Sequence, residues 1–379
     1  MKKLKIFLVL GNAATGGVDS KIMMRNIYDT LVNMGHKVTL VPFADMMKKY
    51  NPLVHMGQSR KEYLSSEILK SYRHNKKKVT YDIFFSFLAE SVIIPEMFEE
   101  LKGEIYTINY TTNYHQFEQL HKNISPHISL NTYISLPHKK AYDEVGANSY
   151  WLPMAANPEF YNAKNHNLSY EASFVGSAYA FRQNHIWRIL QNDININVFG
   201  PGWLHNRNSK KIIKDYIRQL RYPFLGNEDK IRDLDKNLRG VIINLLNQKY
   251  PDKIGGVLSD VDMVKVYAGS KIVLNIQESR KNNDIICPEV LYGANFRDFE
   301  VPMSGSLLLT QFSEELLLLY DAEKEIVTFK NEYEMIDKMK FYLNNNQQRK
   351  KIADAGHKRA INEHTWEHRF NELFSYISL

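Results

Sequence analysis

Arg297 and Glu300 stand three residues apart in Asn295-Phe-Arg-Asp-Phe-Glu-Val-Pro-Met-Ser-Gly-Ser306, directly ahead of the apolar run Leu307-Leu-Leu-Thr310. A carboxylate can grip the two hydroxyls of a ribose, and a guanidinium can meet a phosphate with paired N–H donors. Glu300 precedes the small-residue turn Ser304-Gly305-Ser306. It can therefore open a short helix over Glu300–Ser304 and aim its oxygens above the edge of a parallel sheet. The plainer alternative is a Glu that only caps a helix and an Arg that only pairs with it.

Other polar spacings admit simpler readings. Asp260-Val-Asp262 matches the minimal pattern through which an acidic pair can hold a divalent metal. Ser259 and both acids, however, stand at the start of the helical run Met263-Val-Lys-Val-Tyr267, where helix capping explains them, so no metal is expected. His364 and His368 have the i, i+4 spacing of a metal pair but lack an evident third ligand, and read as structural. Gly11-Asn12-Ala-Ala-Thr-Gly16-Gly17 follows a strand and opens a helix like a phosphate loop. It lacks the Gly-Lys-Ser/Thr ending and the dinucleotide spacing.

These residues need elements to position them. The 379 residues exceed what one hydrophobic core usually supports, so two domains are expected, and 44% apolar content fits a globular chain. Met1–Leu10 has too short an apolar run for a leader and reads as a first buried strand. No run is long enough for a membrane span. The single cysteine, Cys287, excludes an internal disulfide framework, and a cytoplasmic location is expected. The net charge of +7 favours anionic company: nucleotide phosphates, an anionic membrane face or nucleic acid.

Periodicity predicts an α/β chain. Strands fit Lys5–Leu10, Tyr81–Phe87, Glu104–Asn109 and His127–Leu130, Gly35–Pro42 reads as a turn followed by another strand, and helices fit Ile22–Met34, Pro95–Leu101 and Tyr114–His121. After the turn-rich link Trp151–Pro158 the pattern restarts. Strands fit Tyr170–Gly176, Ile194–Gly200, Ile272–Ile276 and Leu307–Thr310, with helices at Gln183–Leu190 and Asp260–Tyr267, then two helices to the end. Between Leu204 and Lys253 the pattern breaks. Arg207, Lys210, Lys211, Lys214, Arg218 and Arg221 interleave with Ile212, Ile213, Tyr216, Ile217 and Leu220, an inserted amphipathic basic arm. It reads either as a solvated face or as a membrane or acceptor contact.

Five motifs occur in a telling order: Phe174-Val-Gly-Ser-Ala-Tyr-Ala-Phe-Arg182, Val198-Phe-Gly-Pro-Gly-Trp203, Tyr267-Ala-Gly-Ser-Lys-Ile-Val-Leu-Asn275, Phe296-Arg-Asp-Phe-Glu300 with Gly305, and Ile352-Ala-Asp-Ala-Gly356 with His364-Thr-Trp366 and Arg369. Together they resemble the C-terminal half of the spore-maturation (CgeB-like) glycosyltransferases, relatives of the group 1 GT-B enzymes. The resemblance covers residues 150–370 well and the first 150 in outline.

It implies a GT-B fold of two Rossmann-like βαβ domains facing a central cleft. An acceptor domain would span 1–155 and a donor domain 156–358, with the helical insertion at 204–253, and a C-terminal helix over 359–379 would cross back to the first domain. The implied activity is metal-independent transfer of a hexose from a nucleotide-diphosphate sugar, a UDP-sugar first among them, to a hydroxyl acceptor on a cell-surface glycan, glycolipid or protein. No cofactor is implied, and a place at the inner membrane face fits such acceptors. Glu300 then falls on the ribose hydroxyls. Arg182, after Gly176-Ser177, and Arg297 fall near the diphosphate, whose leaving charge needs stabilising. Asn295, Phe296, Ser304 and Gly305 complete that side. Gly200, Gly202 and Trp203 follow a strand end, where glycine admits close approach and the indole either stacks on a base or packs internally. Gly11, Asn12, Gly16 and Gly17 border the cleft from the acceptor side.

The chain departs from the group pattern twice. Gly293 stands where many members carry a second Glu, and Thr111-Thr-Asn-Tyr-His115 stands where a paired acidic motif is common. Sugar and stereochemistry are left open by this, and His115 is the candidate base. A non-catalytic nucleotide-sugar or polyanion binder is the alternative, and nucleic acid is disfavoured without an RNA-binding aromatic motif.

Overall fold

The computed structural model describes residues 2–11, 21–55, 57–112, 117–161, 168–178, 180–204, 228–277 and 293–379. Asn12, Gly16, Gly17, His115 and residues 205–227 of the basic arm lie outside the described residues. The chain forms two compact units, Met1–Phe160 with His364–Leu379, and Tyr161–Glu363.

The first unit is built on six parallel strands, β1 (Lys5–Leu10), β2 (Lys37–Leu40), β3 (Ile83–Phe87), β4 (Tyr106–Thr111), β5 (Leu130–Tyr133) and β6 (Ser149–Trp151), in the order β2-β1-β3-β4-β5-β6. β3, Ile-Phe-Phe-Ser-Phe, is buried throughout, as a continuous apolar run in a sheet covered on both faces must be. From β1 the chain steps to β2 on one side and then to β3 on the other, which puts the topological switch between β1 and β3. Gly11 sits there, its N–H donating to Phe87 O at 3.2 Å, and a Cβ at that position would stand 2.3 Å from the same oxygen. The helix Trp366–Tyr376 belongs to this unit. Its rings at i, i+4 and i+8, Trp366, Phe370 and Phe374, meet Tyr110, Phe85 and His36 in turn.

The second unit has five parallel strands, β7 (Tyr170–Val175), β8 (Ile196–Phe199), β9 (Ser270–Asn275), β10 (Leu307–Gln311) and β11 (Val327–Phe329), in the order β11-β10-β9-β7-β8. Here the switch falls between β7 and β9. Phe174, Ile196, Ile272, Leu274, Leu307 and Leu309 are among the buried residues of its core.

Several expectations are corrected. The strand placed at His127–Leu130 begins at Leu130, because Ser125–His127, with Pro126, forms a 3-10 turn that takes no part in a ladder. Trp151, assigned to a link, ends β6. The helix Arg60–Lys76 went unread although Ser59 and Glu62 form a capping box at its start. Three helices follow β11 where two were expected: Glu332–Asn344, Asn346–Glu363 and Trp366–Tyr376. Among the described residues no helix is long and apolar enough to cross a membrane.

Candidate functional site

Open α/β sheets bind ligands outside the carboxyl ends of the strands, where the strand order reverses. In the second unit that place is set by Gly176 and Ser177 after β7, and by Asn275, Ile276 and Gln277 at the end of β9. Arg182, Arg297 and Asp298 all converge on it.

The helix carrying Arg297 and Glu300 runs Phe296–Met303, one turn earlier than the sequence suggested, because Asn295 and Asp298 form its capping box. The Asn295 side chain accepts from Arg297 N at 2.9 Å, and Asp298 Oδ2 accepts from Asn295 N at 2.8 Å. Asp298 is fully buried. Its carboxylate also accepts from Asn275 Nδ2 (2.8 Å), Thr310 Oγ1 (2.9 Å) and Gln277 Nε2 (2.5 Å). Burial raises its pKa, against the pull of those hydrogen bonds and of Arg297. The network fixes Asn275, whose Oδ1 accepts from Arg297 Nε at 3.2 Å, and so aims the guanidinium at Gly176.

Glu300 lies in the second turn of this helix and is buried, at 3% exposure, rather than open to solvent. The Tyr161 hydroxyl donates to its Oε1 at 2.5 Å, and Tyr267 is a second hydrogen-bonding neighbour. Its pKa is raised to about 7. Burial is the main cause and the negative charges of Asp260 and Asp298 add to it, while the Tyr161 bond and Arg297 oppose it. Burial likewise raises the Tyr267 hydroxyl, with the Glu300 charge adding to it.

Ser304 and Gly305 finish the helix instead of facing a ligand at its start. Ser304 is buried, its Oγ donates to Glu300 O at 2.8 Å, and Gly305 takes φ +82° just past the helix end. Phe296 is half-buried in the first turn.

Arg182 opens the helix Arg182–Gln191 and is 8% exposed. It donates from Nε and Nη2 to Ile276 O (3.1 and 2.8 Å) and from Nη1 to Ser177 O (3.2 Å). It thereby ties the loop after β7 to the end of β9. Trp203 is fully buried, edge-on to Phe174 at 5.9 Å, and its indole N–H donates to Gly176 O at 2.6 Å. This corrects the idea of an exposed ring for a base: the indole packs in the core and props the β7 loop. Gly200, at φ +136°, brings its backbone so close that a Cβ would stand 2.3 Å from Gly176 O. Gly202, at φ +84°, completes that turn.

Ser259 caps the helix Asp260–Ala268, accepting from Asp262 N, while Lys265 pairs with Asp262 at 3.0 Å. Among the described residues no group of three or more His, Cys, Asp or Glu could hold a metal. His364 Nδ1 lies 3.0 Å from Arg369 Nη2, and His368 Nδ1 lies 2.6 Å from Thr365 Oγ1, so both histidines serve local structure.

Asp298, Asn275 and Gln277, which hold Arg297 in place, were missed in the sequence. The spacing Asn295-x-x-Asp298 was a readable capping signal. Nothing local marks Asn275 or Gln277, which matter only because β9 and β10 are neighbours.

Residues 182–375 match the model of the family described as glycosyl transferase-like. No curated protein sequence matches the chain significantly. Among solved structures, sucrose-phosphate synthase from Thermosynechococcus elongatus superposes with a TM-score of 0.62 at 10% identity, covering 99% of each chain. HepE of Anabaena in complex with UDP-glucose gives 0.59 at 10% identity, covering 98% of this chain and 99% of that one. A glycosyltransferase from Rickettsia africae gives 0.58 at 11%, covering 99% and 98%. At these identities the likeness establishes the fold, the two parallel-sheet α/β units of GT-B.

Proposed function

Because the chain belongs to the glycosyl transferase-like family, we propose that it transfers a hexose from a nucleotide-diphosphate sugar to a hydroxyl acceptor, without a metal. The observation that carries this reading is Arg297 at the switch of the second sheet, on a network-fixed helix start, with Glu300 one turn further along the same helix. A carboxylate has about four lone-pair sites, so Glu300 can keep both tyrosine hydroxyls and still accept from a ribose diol. Arg297, with the positive end of the helix dipole, faces the diphosphate and stabilises the charge that develops as it leaves. Arg182 acts by holding the two loops that frame the site.

HepE, solved with UDP-glucose, supports a uridine donor. Metal independence is supported by the Asp262 side chain, whose carboxylate accepts from Ser259 Oγ at 2.7 Å and Lys265 Nζ at 3.0 Å. The five ordered motifs favour the CgeB-like group within the family. The acceptor belongs to the first unit, at the end of β1 and β3, and His115 is the candidate base if the reaction inverts. A cytoplasmic location agrees with a nucleotide-sugar donor.

Calorimetry with UDP, GDP, ADP, CMP and dTDP, with and without chelator, tests this. Selective, chelator-insensitive binding of one diphosphate, weakened by Arg297→Ala, is expected. Equal, weak binding of all polyanions would replace the transferase by a polyanion binder.

A further inference from the structure

In the first unit, the turn of residues 51–55 holds two adjacent apolar side chains out in water, Leu53 at 82% and Val54 at 72% exposure. This is not a loose loop. Leu53 N donates to Asn51 Oδ1 (3.0 Å), and Val54 N and His55 N donate to Asn51 O (3.1 and 3.0 Å). The His55 ring stacks on Tyr50 at 5.5 Å and packs on Tyr63 at 4.5 Å, while the Tyr50 hydroxyl closes the neck by donating to Gln58 O at 3.0 Å. This hydrogen-bonded support presents Leu53 and Val54 side by side at the tip of the turn.

The charge around the neck indicates which partner. Lys48 and Lys49 end the helix Phe43–Lys49, and Arg60 and Lys61 begin the helix Arg60–Lys76, all four exposed. Of the two acids nearby, Asp45 is exposed and Glu62 is engaged in the capping box, its Oε2 accepting from Ser59 N at 2.6 Å. The net balance is positive. A second adjacent exposed pair among the described residues, Leu317 and Leu318, sits beside Glu314, Glu315 and Asp321, a setting of the opposite sign. An apolar tip with cations on both chain segments leading to it matches the layered chemistry of an anionic bilayer, with acyl chains beneath phosphate headgroups.

We propose that this turn docks the protein on anionic lipid membranes, Leu53 and Val54 entering the interface while Lys48, Lys49, Arg60 and Lys61 meet headgroup phosphates. The helix Arg60–Lys76 runs back to the amino end of β3, so its first turn stands toward the carboxyl edge of the first sheet, where such sheets bind ligands. A membrane at the tip therefore lies on the ligand side of that unit. The docking rests on the turn's own chemistry and does not depend on the transferase reading.

Flotation of the full chain with phosphatidylcholine vesicles, with and without phosphatidylglycerol, is the test. Binding only to the anionic vesicles is expected. Leu53→Ser with Val54→Ser should weaken it roughly tenfold or more, since apolar insertion is lost. Lys48→Gln with Lys49→Gln should weaken it about fivefold per cation. All four positions are exposed, so thermal melting should stay unchanged. Leu53→Trp should gain a blue shift in emission over the wild type when anionic vesicles are added. Absence of vesicle binding, or binding indifferent to the Leu53 and Val54 changes, overturns the proposal. So does a concentration-dependent dimer abolished by those changes, which would assign the tip to a second copy.

Discussion

Replacing Glu300 by Gln isolates a buried carboxyl whose ionisation the fold resists. Its pKa is raised from the ordinary carboxylate value of 4.5 to about 7, with burial as the leading cause. A raised carboxyl is most compatible with the fold when protonated, so its contribution is fully present below the unfolded pKa and is lost as pH rises through the folded one. The window is therefore the interval from 4.5 to about 7. That separation corresponds to roughly 3 kcal/mol at 1.36 kcal/mol per unit, complete by about pH 8. Gln keeps the shape and can still accept from Tyr161 while remaining neutral. The stability of Glu300→Gln relative to wild type should accordingly grow by about 3 kcal/mol between about pH 4 and pH 8, or roughly 6–12 °C in melting temperature. The assay is thermal and urea unfolding of both proteins across that range, read as a difference so that other titrations cancel. Tyr161→Phe removes a donor to the ionised form, so the window should move to higher pH. Parallel stability curves for wild type and Glu300→Gln would refute the reasoning, because they would mean that Glu300 does not titrate there.

The remaining predictions concern the supports of the site. Gly200→Ala forces a Cβ against Gly176 O at a left-handed φ and should cost about 3 kcal/mol or more, measured by urea unfolding; a change within about 0.5 kcal/mol would contradict the close approach. Arg182→Ala deletes three charge-assisted bonds to main-chain carbonyls, and a loss of about 2–4 kcal/mol in unfolding free energy is expected, together with weaker nucleotide binding in calorimetry. Asp298→Ala strips the helix cap and leaves Asn275 and Gln277 short of an acceptor, so diphosphate affinity should fall even though Asp298 is fully buried. Ser259→Ala should cost about 1 kcal/mol through the lost cap while leaving nucleotide affinity unchanged with and without magnesium; a magnesium-dependent loss would restore a metal role to Asp260 and Asp262.

Most strands of the second sheet could be read from the chain because they are short, apolar and bounded by glycine, and burial on both faces demands such runs. Leu307–Gln311 and Ser270–Asn275 fall within a residue or two of their expected bounds. Where local signals were weak the reading slipped: β5 starts three residues after its expected position, past Pro126, and β6 is only three residues long. The two residues first singled out, Arg297 and Glu300, do lie on one helix at the carboxyl edge of a parallel sheet. Their type and spacing were a property of the sequence alone.

Tertiary structure decided what those residues experience. Glu300 is buried between tyrosines 139 and 33 residues away in sequence, and desolvation, which no local pattern encodes, sets its charge. Asn275, Gln277 and Thr310 reach Asp298 only because β9 and β10 are neighbours in the sheet. Trp203 looked equally suited to a base or to a core, and the approach of the β7 loop settled it as core. Sequence thus determined which groups were available and on which kind of element; long-range packing determined which of them are solvated, paired or buried, because those free energies depend on neighbours distant in the chain.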